Sequence, residues 1–179
     1  MENQELEACI HEYGKAVYSF CRQLAGSRQE ADDLYQDTFL KAMELSGKIE
    51  YDRNPKSYLL SIALRIWKNR RRKFAWRKRI ADTRSLAEGL DAEADVSTEP
   101  SPEEQAIDKE EQAAVRRAVN RLPERLKLVV LLFYMEELQV KQIAAILKIP
   151  EGTVLSRLHQ ARKIVRKELE SVINGKETG

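Results

Sequence analysis

The chain has 179 residues, 42% of them hydrophobic, which is enough apolar content for one ordinary domain or two small ones. Its formal net charge of +2 excludes a uniformly polycationic DNA-packaging protein. No apolar stretch approaches the roughly 20 residues that span a bilayer. The start, MENQELEACI, also lacks the basic residues and apolar core of a signal peptide. We therefore expect a globular, cytoplasmic protein with no membrane insertion.

Residues 31–45, ADDLYQDTFLKAMEL, have the apolar spacing of an amphipathic helix. Ala31, Phe39 and Ala42 fall on one side of such a helix. Asp33 and Asp37 fall on another side. This pattern predicts a helix with a buried apolar side and a mainly acidic outer face.

Residues 57–73, SYLLSIALRIWKNRRRK, predict a second helix, which can begin at or just after Pro55. The residues predicted to form its buried stripe are Leu59, Ile62, Ala63 and Ile66. Arg65, Lys68 and Arg72 share a different face, and Trp76 is a candidate for an exposed ring. A phosphate backbone needs cations and an unstacked base needs a flat ring, so this helix favours nucleic-acid binding.

Periodicity fades from about residue 81 to residue 102, where the chain is rich in Asp, Glu, Ser, Thr and Pro. This composition is typical of a linker. We therefore predict an all-α protein with two small helical domains, residues 1–80 and 103–179, joined by a flexible acidic linker, residues 81–102.

The second domain shows the spacing of a helix-turn-helix. One short helix is predicted around Ile143 and Leu147, KIP makes a tight turn, and a longer helix follows with Val154, Leu158 and Ala161 on its buried side. The apolar run 128–133 could be a buried strand, but nothing else in the chain offers it a strand partner, so we interpret it as helix.

Four segments in order carry a resemblance: ADDLYQDTFLKAM, the basic helix ending NRRRK, LPERLKLVVLLFY, and IAAILKIPEGTVLSRLHQARK. Together they resemble a bacterial RNA polymerase sigma factor of the extracytoplasmic-function group. The resemblance covers nearly the whole chain and implies a sigma-2 domain followed by a sigma-4 domain. It implies binding to core RNA polymerase, recognition of minus-10 and minus-35 promoter elements, and opening of the duplex.

The resemblance also implies three sets of site residues. The core-polymerase-binding set is Asp32, Asp33, Gln36, Asp37 and Phe39. The minus-10 set is Tyr51, Asp52, Asn54, Lys56, Tyr58, Arg65, Lys68 and Arg72. The minus-35 set is Thr153, Ser156, Arg157, Gln160, Arg162 and Lys163. Within the last set, residues in the first two helical turns should reach base edges, and Arg162 and Lys163 should contact phosphates.

The chain offers little for catalysis, because His11 and His159 are its only histidines and no Cys and His cluster has metal-ligand spacing. We expect a protein that is not an enzyme, with no cofactor and no metal site. Its expected partners are core polymerase, promoter DNA and an anti-sigma factor. Two alternatives are a one-component regulator that binds duplex DNA without polymerase and an adaptor whose basic surfaces bind acidic proteins.

Overall fold

The computed structural model describes residues 3–45, 54–82 and 106–177, and every regular element in these ranges is a helix. The chain divides into two compact units, Met1–Ser97 and Thr98–Gly179. The helices are α1 (Asn3–Leu24), α2 (Arg28–Glu44), α3 (Pro55–Asp82), α4 (Ala106–Arg121), α5 (Glu124–Val130), α6 (Val140–Leu147) and α7 (Glu151–Glu177). The predicted all-α class is confirmed. Most of the predicted linker, residues 83–102, lies outside the described residues.

In the first unit, α1, α2 and α3 each pack against the other two. Side chains with at most 1% of their surface exposed come from all three helices: Val17, Phe20, Cys21, Ala31, Leu34, Leu60 and Ala63. The predicted apolar side of α2 is confirmed, because Ala31, Phe39 and Ala42 are buried. Most polar residues of α2 are thereby left on its outer side. The exception, Thr38, is buried, and its hydroxyl donates to the carbonyl of Leu34 at 2.6 Å.

A reciprocal cap fixes the start of α2. The Ser27 Oγ accepts a hydrogen bond from the backbone N–H of Glu30 at 3.1 Å, and the Glu30 carboxylate accepts one from the backbone N–H of Gly26 at 2.9 Å. The bond to Ser27 satisfies a backbone donor that the first helical turn leaves without a partner, and the bond to Glu30 ties the residue before the cap to the helix. The acidic face of α2 therefore begins at a defined point in the chain.

Helix α3 begins at Pro55, as predicted, and Asn54 caps it. The Asn54 Oδ1 accepts a hydrogen bond from the backbone N–H of Ser57 at 3.2 Å. The backbone φ of Asn54 is 130°, a value that residues other than glycine rarely adopt. The early part of α3 is anchored, with Leu59 to Leu64 largely buried. Every side chain from Arg71 to Asp82 is exposed.

In the second unit, the apolar run 128–133 is helical, as predicted. It lies in α5 and in a π-helical turn, Leu131–Met135, that follows α5 directly. The backbone N–H of Glu136 donates to the carbonyl of Leu131 at 3.0 Å, five residues back, which closes the wide turn. The π-helical turn thereby ends the helix and leads the chain toward α6.

Helices α6 and α7 form the predicted helix-turn-helix. Lys148 ends α6 with a left-handed φ of 55°, and the carbonyl of Pro150 accepts from Thr153 N–H at 3.0 Å in the first turn of α7. Val154 and Leu158 are buried, with at most 1% exposed. The opposite side of α7 is thus left to solvent.

The three-helix core predicts a contrast between two equal truncations. Leu60→Ala should lower the free energy of unfolding by about 2–5 kcal/mol, because it leaves a cavity at a fully buried position. Leu40→Ala, at a side chain that is 57% exposed, should change it by less than about 0.5 kcal/mol. Both tryptophans, Trp67 and Trp76, lie in α3, so their fluorescence during urea unfolding reports this unit alone. Equal effects of the two truncations would contradict the assigned core.

Candidate protein and nucleic-acid interfaces

The acidic face of α2 is present in the structure, and two of its carboxylates have partners. Asp33 and Gln36 are exposed, whereas Asp32 and Asp37 are half-buried. The Tyr18 hydroxyl donates to Asp32 at 2.7 Å, and this hydrogen bond is the main reason why the pKa of Tyr18 is raised. Asp37 forms an ion pair with Arg70 of α3. Asp33 is thus the exposed carboxylate of this set, and Gln36 is exposed beside it.

Phe39 does not lie on this face. Only 7% of its surface is exposed, and its ring packs edge-on against Tyr35 with centroids 5.0 Å apart. The apolar stripe of α2 turns the Phe39 ring inward in this structure, and the expected contact of Phe39 with core polymerase stays a prediction. Leu40, which the sequence interpretation missed, is 57% exposed, and Met43 is 45% exposed.

Leu40 could have been found from spacing. It follows Asp33 by seven residues and Gln36 by four, which places all three on one side of an α-helix. The face is therefore an apolar centre with acidic and polar neighbours, rather than a purely acidic surface.

The predicted basic line of α3 is exposed at Arg65, Lys68 and Arg72. Arg72 also donates to the side-chain oxygen of Asn69, one turn earlier. Tyr58, at the start of the same helix, is half-buried, and burial raises the pKa of its hydroxyl. The structure thus places Tyr58, in the first turn, and three exposed cations further on along the one helix α3.

The remaining members of the minus-10 set differ in their positions. Lys56 is half-buried. Asn54 uses its side-chain oxygen to cap α3, so the structure gives it a local role that the sequence interpretation did not foresee. Tyr51 and Asp52 lie outside the described residues.

The aromatic residues of α3 divide into two kinds. Trp67 is half-buried, and the Arg71 guanidinium lies over its ring, 4.8 Å from the centroid. Trp76 and Phe74 are 65% and 70% exposed. The predicted exposure of Trp76 is confirmed, and two open rings lie among the cations at the far end of α3.

In the second unit, α7 presents Ser156, Gln160 and Lys163 to solvent along one side. Thr153 and Arg157 are half-buried. Leu155 is 56% exposed and offers no hydrogen bond. The exposed side of α7 therefore combines polar groups in its first turns with cations further along, an arrangement that suits the groove and backbone of duplex DNA.

Arg162 has a partner that the sequence did not reveal. Its Nε–H donates to the hydroxyl oxygen of Tyr134, in the π-helical turn, and its guanidinium carbon lies 5.5 Å from the Tyr134 ring centroid and 5.8 Å from that of Phe133. The two positions are 28 residues apart in the chain, and no local pattern links them.

Comparison with known proteins identifies the family. The family model for Sigma-70 region 2 matches residues 9–78, and the model for Sigma-70, region 4 matches residues 112–165. The chain is 28% identical over 164 residues to the ECF RNA polymerase sigma factor SigW of Bacillus subtilis, covering 89% of this chain and 86% of that protein. The chain belongs to the extracytoplasmic-function sigma factors.

Other relatives agree. This sigma factor is 27% identical to the RNA polymerase sigma-H factor of Pseudomonas aeruginosa, over 96% of this chain and 90% of the other. Its fold matches that of the sigma factor RpoE, solved in complex with the anti-sigma factor NepR from Bartonella quintana. The TM-score is 0.76 at 21% identity, with 93% of this chain and 98% of that chain covered. None of the described helices of this sigma factor is long and apolar enough to cross a membrane.

Proposed function

We propose that this sigma factor binds core RNA polymerase and directs promoter-specific initiation of transcription, with one task for each unit. Residues 1–80 dock on the polymerase and recognise and open the minus-10 element, residues 81–102 link the units, and residues 103–179 recognise the minus-35 element. The observation that carries the proposal is the set of surfaces on one chain. The first unit presents an acidic and apolar face on α2 and a basic face on α3, and the second unit presents a helix-turn-helix.

Docking would use the α2 face around Asp33, Gln36 and Leu40. An apolar side chain that becomes buried supplies affinity, and charges at the rim supply orientation and partner choice. The exposed Leu40 has the first property and Asp33 has the second. A partner surface with basic groups around an apolar contact, such as the polymerase clamp coiled coil that the family uses, fits this face.

Opening the minus-10 element would depend on α3. Strand separation loses about 1–2 kcal/mol of stacking per base-pair step, so a protein that opens DNA must hold the separated strand. The exposed Arg65, Lys68 and Arg72 can hold its phosphates. The loop before α3, with Tyr51 and Asp52, is proposed to capture an unstacked base on the strength of the family resemblance.

The other expected properties follow from this role. A sigma factor is an initiation factor, and we propose that this one has no catalytic activity of its own and works in the cytoplasm, where RNA polymerase is found. Two structural relatives were solved with regulatory partners: RpoE with the anti-sigma factor NepR, and CnrH with the cytosolic domain of CnrY. We propose that an anti-sigma factor also binds this chain.

Transcription with purified core polymerase tests the function. Addition of this protein should produce specific transcripts from a subset of genomic promoters, and core polymerase alone should not produce them. Tight binding of the protein alone to duplex operator DNA, with no transcript in the presence of core polymerase, would favour the one-component regulator instead.

The docking face predicts the effect of one charge reversal. Asp33→Lys should weaken binding to core polymerase by about tenfold or more, because it places like charge against a basic partner surface. Asp37 is less suitable for this test, since its loss also breaks the ion pair with Arg70. Glu7→Lys, at an exposed position on α1, is the matched control and should leave affinity unchanged. Affinity can be measured by fluorescence titration of labelled sigma factor with core polymerase. Equal affinity for the wild type and Asp33→Lys would refute the docking assignment.

The exposed side of α7 predicts two different kinds of failure. Gln160→Arg should change the preferred minus-35 base, because glutamine pairs with adenine and arginine with guanine, with a discrimination of about 1–3 kcal/mol. Lys163→Ala should weaken binding to all minus-35 sequences alike, and it should reduce the salt dependence of that binding by about one charge. A randomised minus-35 library transcribed by holoenzyme carrying each variant measures both effects. If Lys163→Ala changed the preferred sequence and Gln160→Arg did not, this division of α7 would be wrong.

A further inference from the structure

Tyr134 and Arg162 form an exposed pair that joins two elements of the second unit. Tyr134 is 52% exposed although its ring and hydroxyl contact Arg162, and Arg162 is also exposed. The rings of Phe133 and Tyr134 are edge-on, with centroids 4.9 Å apart and planes at 80°. Both lie within about 6 Å of the guanidinium, which is the range of a cation–π contact. The guanidinium is therefore held in place while remaining open to solvent.

The hydrogen bond between them leaves most donors of the pair available. A guanidinium has five N–H donors, and only Nε–H is used by Tyr134, so the four N–H groups of the two terminal nitrogens remain. In this bond the Tyr134 oxygen is the acceptor, so its own O–H remains a donor. Arginine terminal nitrogens beside a neutral hydroxyl suit an oxyanion with several oxygens, and phosphate is such an anion.

The position of the pair on the second unit indicates which kind of phosphate it would bind. Arg162 lies on α7 between Gln160 and Lys163 in the chain, on the side that also carries His159 and Arg166, both exposed. When a recognition helix enters the major groove, the sides of the helix approach the two sugar-phosphate backbones. An exposed cation on that side, held by a neighbouring element, is placed to contact the backbone rather than a base.

We propose that Tyr134 and Arg162 act as one binding unit for a single backbone phosphate of duplex DNA beside the minus-35 element. The proposal rests on the proposed function, in which α7 reads that element. It makes Tyr134, which lies outside the recognition helix, a DNA-binding residue. It also gives the π-helical turn Leu131–Met135 a function, since that turn carries the hydroxyl and both rings that hold Arg162.

Tyr134→Phe is the discriminating variant, because it keeps the ring and removes only the hydroxyl. Holoenzyme carrying it should bind promoter DNA more weakly by about tenfold or more, whatever the minus-35 sequence, since one hydrogen bond to a charged group is lost. The slope of affinity against salt should not change, because no charge is removed. Arg162→Ala should weaken binding and also reduce that slope by about one charge. Tyr13→Phe, on half-buried Tyr13 in α1, is the matched control and should have no effect.

A scan with single uncharged methylphosphonates along the minus-35 backbone locates the phosphate. At one position, the methylphosphonate should lower the affinity of wild-type holoenzyme. On that substituted probe, the Tyr134→Phe variant and the wild type should bind equally well. If Tyr134→Phe lowered the melting temperature but bound every probe like the wild type, the pair would be a structural contact and the proposal would be overturned. Loss of affinity without any such shared position would also overturn it. Failure of wild-type holoenzyme to bind any promoter would instead refute the proposed function on which this inference depends.

Discussion

The structure of the first unit depends on how α3 is rotated against α1 and α2. Leu60 and Ala63 are fully buried, and a helix is rigid about its axis, so burying them also fixes the direction of every other side chain nearby. Arg65 and Lys68 are thereby directed to solvent. Neighbouring cations repel one another, so the charges on the long basic end of α3 do not stabilise the helix. The buried apolar segment supplies the stability that lets those cations remain close together on one helix.

The same packing brings the two candidate interfaces of this unit into contact. Asp37 belongs to the proposed docking face of α2, and its ion-pair partner Arg70 belongs to the basic helix α3. Their side chains are 48% and 40% exposed, and such pairs contribute only about 0–1 kcal/mol to stability. A cation on a docking partner can therefore compete with Arg70 for Asp37 at little cost in folding energy. The two faces share this ion pair. Loss of either partner therefore leaves the charge of the other partner without its counter-charge.

The sequence predicts the elements well where one helical period decides the outcome. The buried side of α2, the start of α3 at Pro55, and the helix-turn-helix all follow from apolar spacing and breaker residues. The sequence does not predict features that depend on the rotation of a helix or on a distant residue. Phe39 and Leu40 are adjacent and both apolar, and only the rotation of α2 turns one inward and the other outward. The partner of Arg162 lies 28 residues away, so no periodicity within α7 could reveal it.

This contact distinguishes cations that look alike in the sequence. Arg162 and Lys163 are adjacent and both exposed, but Arg162 is held by a hydrogen bond and two rings. A long side chain that is already ordered loses less conformational entropy when it binds a phosphate. A fixed cation also binds the backbone at one position relative to the helix, whereas a flexible lysine tolerates several. In the proposed complex with the minus-35 element, Arg162 therefore sets the register of α7 in the groove, and through it the base that Gln160 contacts, without contacting a base itself.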